Sequence, residues 1–197
     1  GNGDQDANFS GYMNFVVRPL AGGILGYSPL GGNVAAGQAV VMNTFAFGSG
    51  AGCPGFVPDA TFGLGRTVTH ELGHFYNLNH TFANYTCIGD DGLADTPNIN
   101  DANYGCPPNG SVDACVNGEY ALTMNYMDYV DDACMFMFSA DQIGVVDAYV
   151  SGVLASQFNT NVASCYTGPQ FNFAATNSPF GTCTGEDVDF NITYLTT

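Results

Sequence analysis

The 197-residue chain contains no lysine and only two arginines, Arg18 and Arg66, against 18 aspartates and glutamates. Without clustered basic side chains nothing can neutralise a run of phosphates, so nucleic acid is excluded as an expected partner and an anionic membrane surface is disfavoured. A formal charge of -16 instead draws divalent cations and basic substrates. No run of about eighteen apolar residues occurs, so no membrane span is expected, and no charged-then-apolar leader opens the chain. Cysteine occurs seven times but never as C-x-x-C. Without that metal and redox spacing, so many thiols imply disulfides, an oxidising compartment and a mature, secreted product.

What is present suffices for one domain and an appendage: 46% of the residues are hydrophobic, enough for a core of ordinary size. "YMNFVVRPL", "GGILGYSPL" and "QAVVMNTFAF" are short apolar runs closed by Pro, Gly or a polar cluster, read as strands of one sheet. Leu64, Val68, Leu72 and Phe75 recur at spacings of three and four, which predicts a helix over 64–76. From Thr81 to Gly118 periodicity disappears, and Asp, Asn, Gly, Pro and Cys dominate a segment that needs cross-links or ions to order it. Ser139 then reads as an N-cap with Asp141 in the first turn of a second helix, whose apolar face is Ile143, Val146, Val150, Val153 and Leu154. Strands followed by segregated helices indicate an α+β fold over 1–167. The Phe-x-Phe alternation and turn clusters of 168–197 indicate a β-rich appendage or the start of a following β-sandwich module.

Histidine is also scarce, and all three copies fall in "HELGHFYNLNH": His70, His74 and His80. On a helix, residues four apart share a face, so His70 and His74 form a two-imidazole clamp with Glu71 on the adjacent ridge. Three protein ligands with the fourth position left to water is the pattern of a catalytic zinc. His80 lies six residues beyond His74 and reaches the clamp only if the chain turns sharply. Asn77 suits that turn, because Asn readily takes the left-handed conformation at a helix end. A zinc site of this kind activates water near neutral pH, and the Glu71 carboxylate is placed to take its proton and hand it to a leaving amine.

This motif resembles the metzincin pattern H-E-x-x-H-x-x-G-x-x-H with Asn77 in place of the glycine, and "MNYMDY" resembles the Met-turn. With "GRTVTHELGH", "CIGDDGLADTP" and "DDACMFMFSADQ", the stretch 12–156 is similar to the pappalysin family, in its cytophagalysin and ulilysin-like branch. The resemblance implies a secreted zinc endopeptidase acting on protein or peptide substrates. It places a twisted mixed sheet and active-site helix above an irregular subdomain that carries the Met-turn and a C-terminal helix. It implies zinc on His70, His74 and His80, Glu71 as general base, Met127 as the Met-turn methionine, and Tyr129 as an oxyanion donor. It further implies structural calcium at Asp91, Thr96 and the carbonyl of Ala94. Asp90 and Asp95 are further candidates in the same loop, whose hard oxygens suit that ion, and Asp101 follows a little further on.

Four cysteines, Cys87, Cys106, Cys115 and Cys134, bracket the irregular segment and permit three connectivities. The family pattern pairs Cys87 with Cys115 and Cys106 with Cys134. Cys165 with Cys183 would staple the tail to the preceding domain, leaving Cys53 free or paired with a segment outside these residues. The resemblance also implies a strand-and-helix region ahead of "YMNFVVRPL", supplied by a separate chain, removed by processing, or belonging to a longer protein. Asp131 and Asp132 follow the Met-turn, where relatives border the pocket for the residue after the cut, and are candidates for selecting Arg or Lys. The competing reading is a binding or adhesion module on a metzincin scaffold, which the β-like tail favours.

Overall fold

The computed structural model describes residues 10–48, 57–82 and 86–158, and the backbone of 170–175 and 190–195. Three strands form a mixed sheet in the order β1 (Asn14–Arg18), β3 (Ala39–Asn43), β2 (Gly26–Tyr27). β1 runs parallel to β3 with Val16 beside Val41, and β2 runs antiparallel with Tyr27 beside Val41. In the central strand Val40, Val41 and Met42 are all buried, because both faces of β3 are covered. Of the apolar run 22–30 only two residues pair as strand. Gly22 and Gly23 lie at positive φ just before it, so the chain turns rather than extends there.

Helix α1 spans Arg66–Phe75, shorter than the expected 64–76. Leu64 falls outside it and is exposed. The helix has no cap from its own N-terminal neighbour. Instead the Asp132 carboxylate, 66 residues away, accepts from the backbone N–H of Leu64 (2.8 Å) and Arg66 (3.2 Å). Its C-terminus is closed by Asn77 at φ 75°, with Asn77 N–H donating to the His74 carbonyl and Leu78 N–H to the Gly73 carbonyl, both at 2.9 Å. These are the paired bonds of a Schellman cap. Gly31 and Gly32 add N–H donors to the His74 and Phe75 carbonyls.

α2 spans Ala140–Tyr149 and begins with a capping box in which Ser139 and Gln142 bond reciprocally. It passes into a π-helical turn at Val150–Leu154. Within the wider turn Leu154 enters the core while Val153 stays exposed, as does Ile143 in the first turn of α2. The apolar face read from the sequence is therefore only partly buried.

The upper core unites Val34 of the loop before β3 with Val40 and Met42 of the sheet, Phe75 of α1 and Leu154 of the π turn. A smaller core of Phe82, Ile99 and Ala121 lies within the irregular half, which has no helix or strand among its described residues 86–131. Disulfides Cys87–Cys115 and Cys106–Cys134 tie that half together. In the tail, β4 (Gln170–Ala175) and β5 (Phe190–Leu195) pair as an antiparallel ribbon. Cys53, Cys165 and Cys183 lie outside the described residues.

Candidate active site

A cavity of about 470 Å³ opens between the strand β2 segment and the residues after Met127. α1 delivers His70, Glu71 and His74 to its floor, and the turn at Asn77 returns His80 to them. The three Nε2 atoms lie 3.1 Å (His70–His80), 3.1 Å (His74–His70) and 2.9 Å (His74–His80) apart. His70 Nδ1–H donates to the Tyr126 carbonyl at 2.6 Å and His74 Nδ1–H to the Leu78 carbonyl at 2.7 Å. With the protons on Nδ1, the Nε2 lone pairs of both rings face one another at repulsive range. A shared cation removes that repulsion, and zinc with bonds of about 2.0–2.1 Å in tetrahedral geometry asks for N···N separations of roughly 3.3 Å. The donor set fits such an ion. Among the described residues no other cluster of three His, Cys, Asp or Glu side chains converges in this way.

Burial sets the protonation of the group. Together with the smaller influence of His74 and His80 it lowers the His70 imidazole to about 3, and together with that of His74 it lowers His80 to about 4. His74 is lowered for the same reason. All three rings are thus neutral at physiological pH, the state in which imidazole ligates a metal. Burial pushes the Glu71 carboxyl up to about 7.

Met127 is fully buried and packs on Gly73 of α1, where a Cβ would collide with its sulfur. Tyr129 lines the cavity with its ring 4.9 Å from His80 and 4.7 Å from Phe82. Asp132 also lines the cavity, but one of its oxygens is engaged in capping α1. Asp131 is half-buried and does not line it. In the acidic loop, Thr96 Oγ1–H donates to Asp91 within 2.8 Å of both oxygens. Asp90 accepts from the Gly92 amide and Asp101 from the Ala102 amide, while Ala94 is exposed. Asp95 is engaged elsewhere, accepting the Asp141 N–H at the start of α2.

Several side chains of the site carry no sequence signal. Asn125, fully buried, exchanges hydrogen bonds with Gln142 of α2 and accepts the Met127 N–H. Asp128, also fully buried, accepts from the backbone and side chain of Asn103. Gly26 of β2 lies against the Glu71 side chain. Each partner is distant in sequence, so no local pattern marks the pairs.

Residues 59–151 match the peptidase M43 family, described as pregnancy-associated plasma protein-A. The chain is 36% identical to an extracellular metalloprotease of Verticillium alfalfae over 135 residues, which is 66% of this chain and 46% of that protein. It is 43% identical to an extracellular metalloprotease of Arthroderma otae over 82 residues, 41% of this chain and 30% of that protein. Mature mirolysin of Tannerella forsythia, solved with a cleaved peptide, superposes with a TM-score of 0.64 at 32% identity over 73% of this chain and 54% of that one. The chain thus spans about half or less of the relatives it matches.

Proposed function

Because the chain belongs to the pappalysin family of metzincins, we propose that it acts as a secreted, zinc-dependent endopeptidase. The observation that carries the proposal is the convergence of His70, His74 and His80 on one point beside Glu71 at the floor of an open cavity. His70, His74 and His80 would hold a zinc ion through their Nε2 atoms, and the ion would supply Lewis acidity for activating water and polarising a carbonyl. Glu71 takes the proton of the attacking water on a carboxylate oxygen and delivers it to the leaving amine nitrogen. The Tyr129 hydroxyl donates to the developing negative oxygen of the peptide carbonyl. Tyr126 and Leu78 carbonyls hold His70 and His74 in orientation.

In the same reading Asp91, Thr96 and the Ala94 carbonyl hold a structural calcium, supported by the juxtaposition of the first two. Residues 1–167 form the catalytic unit and the tail an appendage. Asp132 at the cavity wall, with Asp131 beside it, favours an incoming Arg or Lys. A chain with no lysine and two arginines offers such a protease almost no sites for self-cleavage.

The deciding experiment replaces Glu71 with Gln. The variant is expected to keep zinc, read by elemental analysis, and to lose turnover of a quenched peptide by about 10² to 10⁴. Near-normal turnover would defeat the mechanism, and a wild type inert toward every peptide would return the chain to the binding-module reading. Product termini from the same digests report specificity, and a purely hydrophobic preference after the cut would remove the role of Asp131 and Asp132.

A further inference from the structure

Tyr104 is the most exposed of the large side chains on the cavity wall, at 66% against 49% for Ile24 and 44% for Tyr27. Its backbone is nevertheless fixed on both sides. Asn103 donates its N–H to Asp128 Oδ1 (2.9 Å) and its side-chain amide to Asp128 Oδ2 (2.6 Å). The Gly105 carbonyl accepts from Asp131 N–H at 2.9 Å, and Cys106 is bonded to Cys134. The segment is thus bolted to the residues that follow Met127.

The anchor is costly. Asp128 is fully buried, and taking a carboxylate out of water is unfavourable until hydrogen bonds offset the loss. Burial drives its carboxyl upward even with Asn103 and Tyr129 amides donating to it. The hydrolytic step proposed above assigns no part to Asp128 or Asn103. What their bonds achieve is to hold one aromatic ring at the mouth of the cavity, with its centroid 6.2 Å from the Tyr129 ring. Tyr129 in turn contacts His80 and Phe82. An aromatic wall therefore runs from the histidines to the cavity mouth. A rigid tyrosine offers large amphipathic contact area at small entropic cost, and it is left without cover unless a ligand supplies it.

We propose that Tyr104 contacts the substrate, forming with Tyr129 an aromatic subsite that packs an apolar or aromatic side chain of the bound peptide, and that Asp128 acts through Asn103 as its positioning residue. This rests on the endopeptidase reading above.

The test is a library of quenched peptides randomised at each position around the cut, hydrolysed by the zinc-loaded protein. Tyr104→Ala should erase the preference for aromatic and large aliphatic residues at one position. It should raise KM for the best such peptide about tenfold, with the loss in KM rather than kcat. Tyr104→Phe, which keeps the ring, should retain the preference. Asn103→Ala should reproduce part of the KM rise, and the double variant should be no worse than Tyr104→Ala alone, since both remove the same contact. An unaltered positional profile in Tyr104→Ala overturns the subsite, and additive losses in the double variant overturn the positioning role. A wild type that cleaves nothing in the library overturns the endopeptidase reading and the subsite together, an outcome distinct from both.

Discussion

At the scale of single residues, the carboxylate of Glu71 is placed by an absence. A Cβ on Gly26 would stand 2.9 Å from Glu71 Cγ, 2.9 Å from the Met42 sulfur and 3.0 Å from the Val41 carbonyl oxygen. Met42 is fully buried and the carbonyl belongs to the central strand, so the freest element is the Glu71 side chain. Gly26→Ala is expected to move it, and a displacement of about 1 Å at a reacting group can cost on the order of 10²-fold in rate. The loss should appear in kcat with zinc content unchanged. Full kcat in the variant would show that the carboxylate does not depend on this contact. Gly73 plays the matching part on the other face of α1, where its bare backbone admits Met127.

At the scale of elements, α1 and α2 are fixed by different kinds of cap. α2 begins with a local one: Ser139 accepts from Gln142 N–H at 3.2 Å while Gln142 Oε1 accepts from Ser139 N–H at 2.8 Å. Ser139→Ala should therefore destabilise the protein by about 1 kcal/mol. Gln142→Ala should cost more, by about 1–3 kcal/mol, because it also leaves the buried Asn125 side chain without its partner. Urea melts of the two variants would check the order, and equal losses would mean that the Asn125 bonds contribute nothing. The serine is visible in the sequence because its partner is three residues away. Asn125 and Gln142, 17 residues apart, and Asp132 with α1, 66 apart, follow no such spacing.

At the scale of the molecule, the two halves are stabilised by different means. The upper half has a sheet, a helix and an apolar core. The lower half has a small core and no regular elements among residues 86–131, so its order rests on two disulfides, side-chain clamps and the proposed ions. Calcium at the Asp91 loop should contribute through the folded state alone, by about 2.7 kcal/mol when free ion exceeds the dissociation constant a hundredfold. A calcium-selective chelator is expected to lower the melting temperature while elemental analysis still finds zinc. No shift would make the loop a solvated turn.

Features that depend on neighbours within a helical turn or two could be read from the chain directly. The spacing of His70 and His74, the left-handed turn at Asn77 and the Ser139 cap are local events governed by backbone sterics and short hydrogen bonds. The three strands were legible too, though not that β2 would shrink to two residues. Tertiary structure alone decided which distant groups meet. It set Asp132 on the amides of α1, Gly26 against Glu71, and Asp128 under the segment that presents Tyr104. Such contacts are selected by packing and by the need to satisfy every buried polar group, and neither constraint leaves a period in the chain.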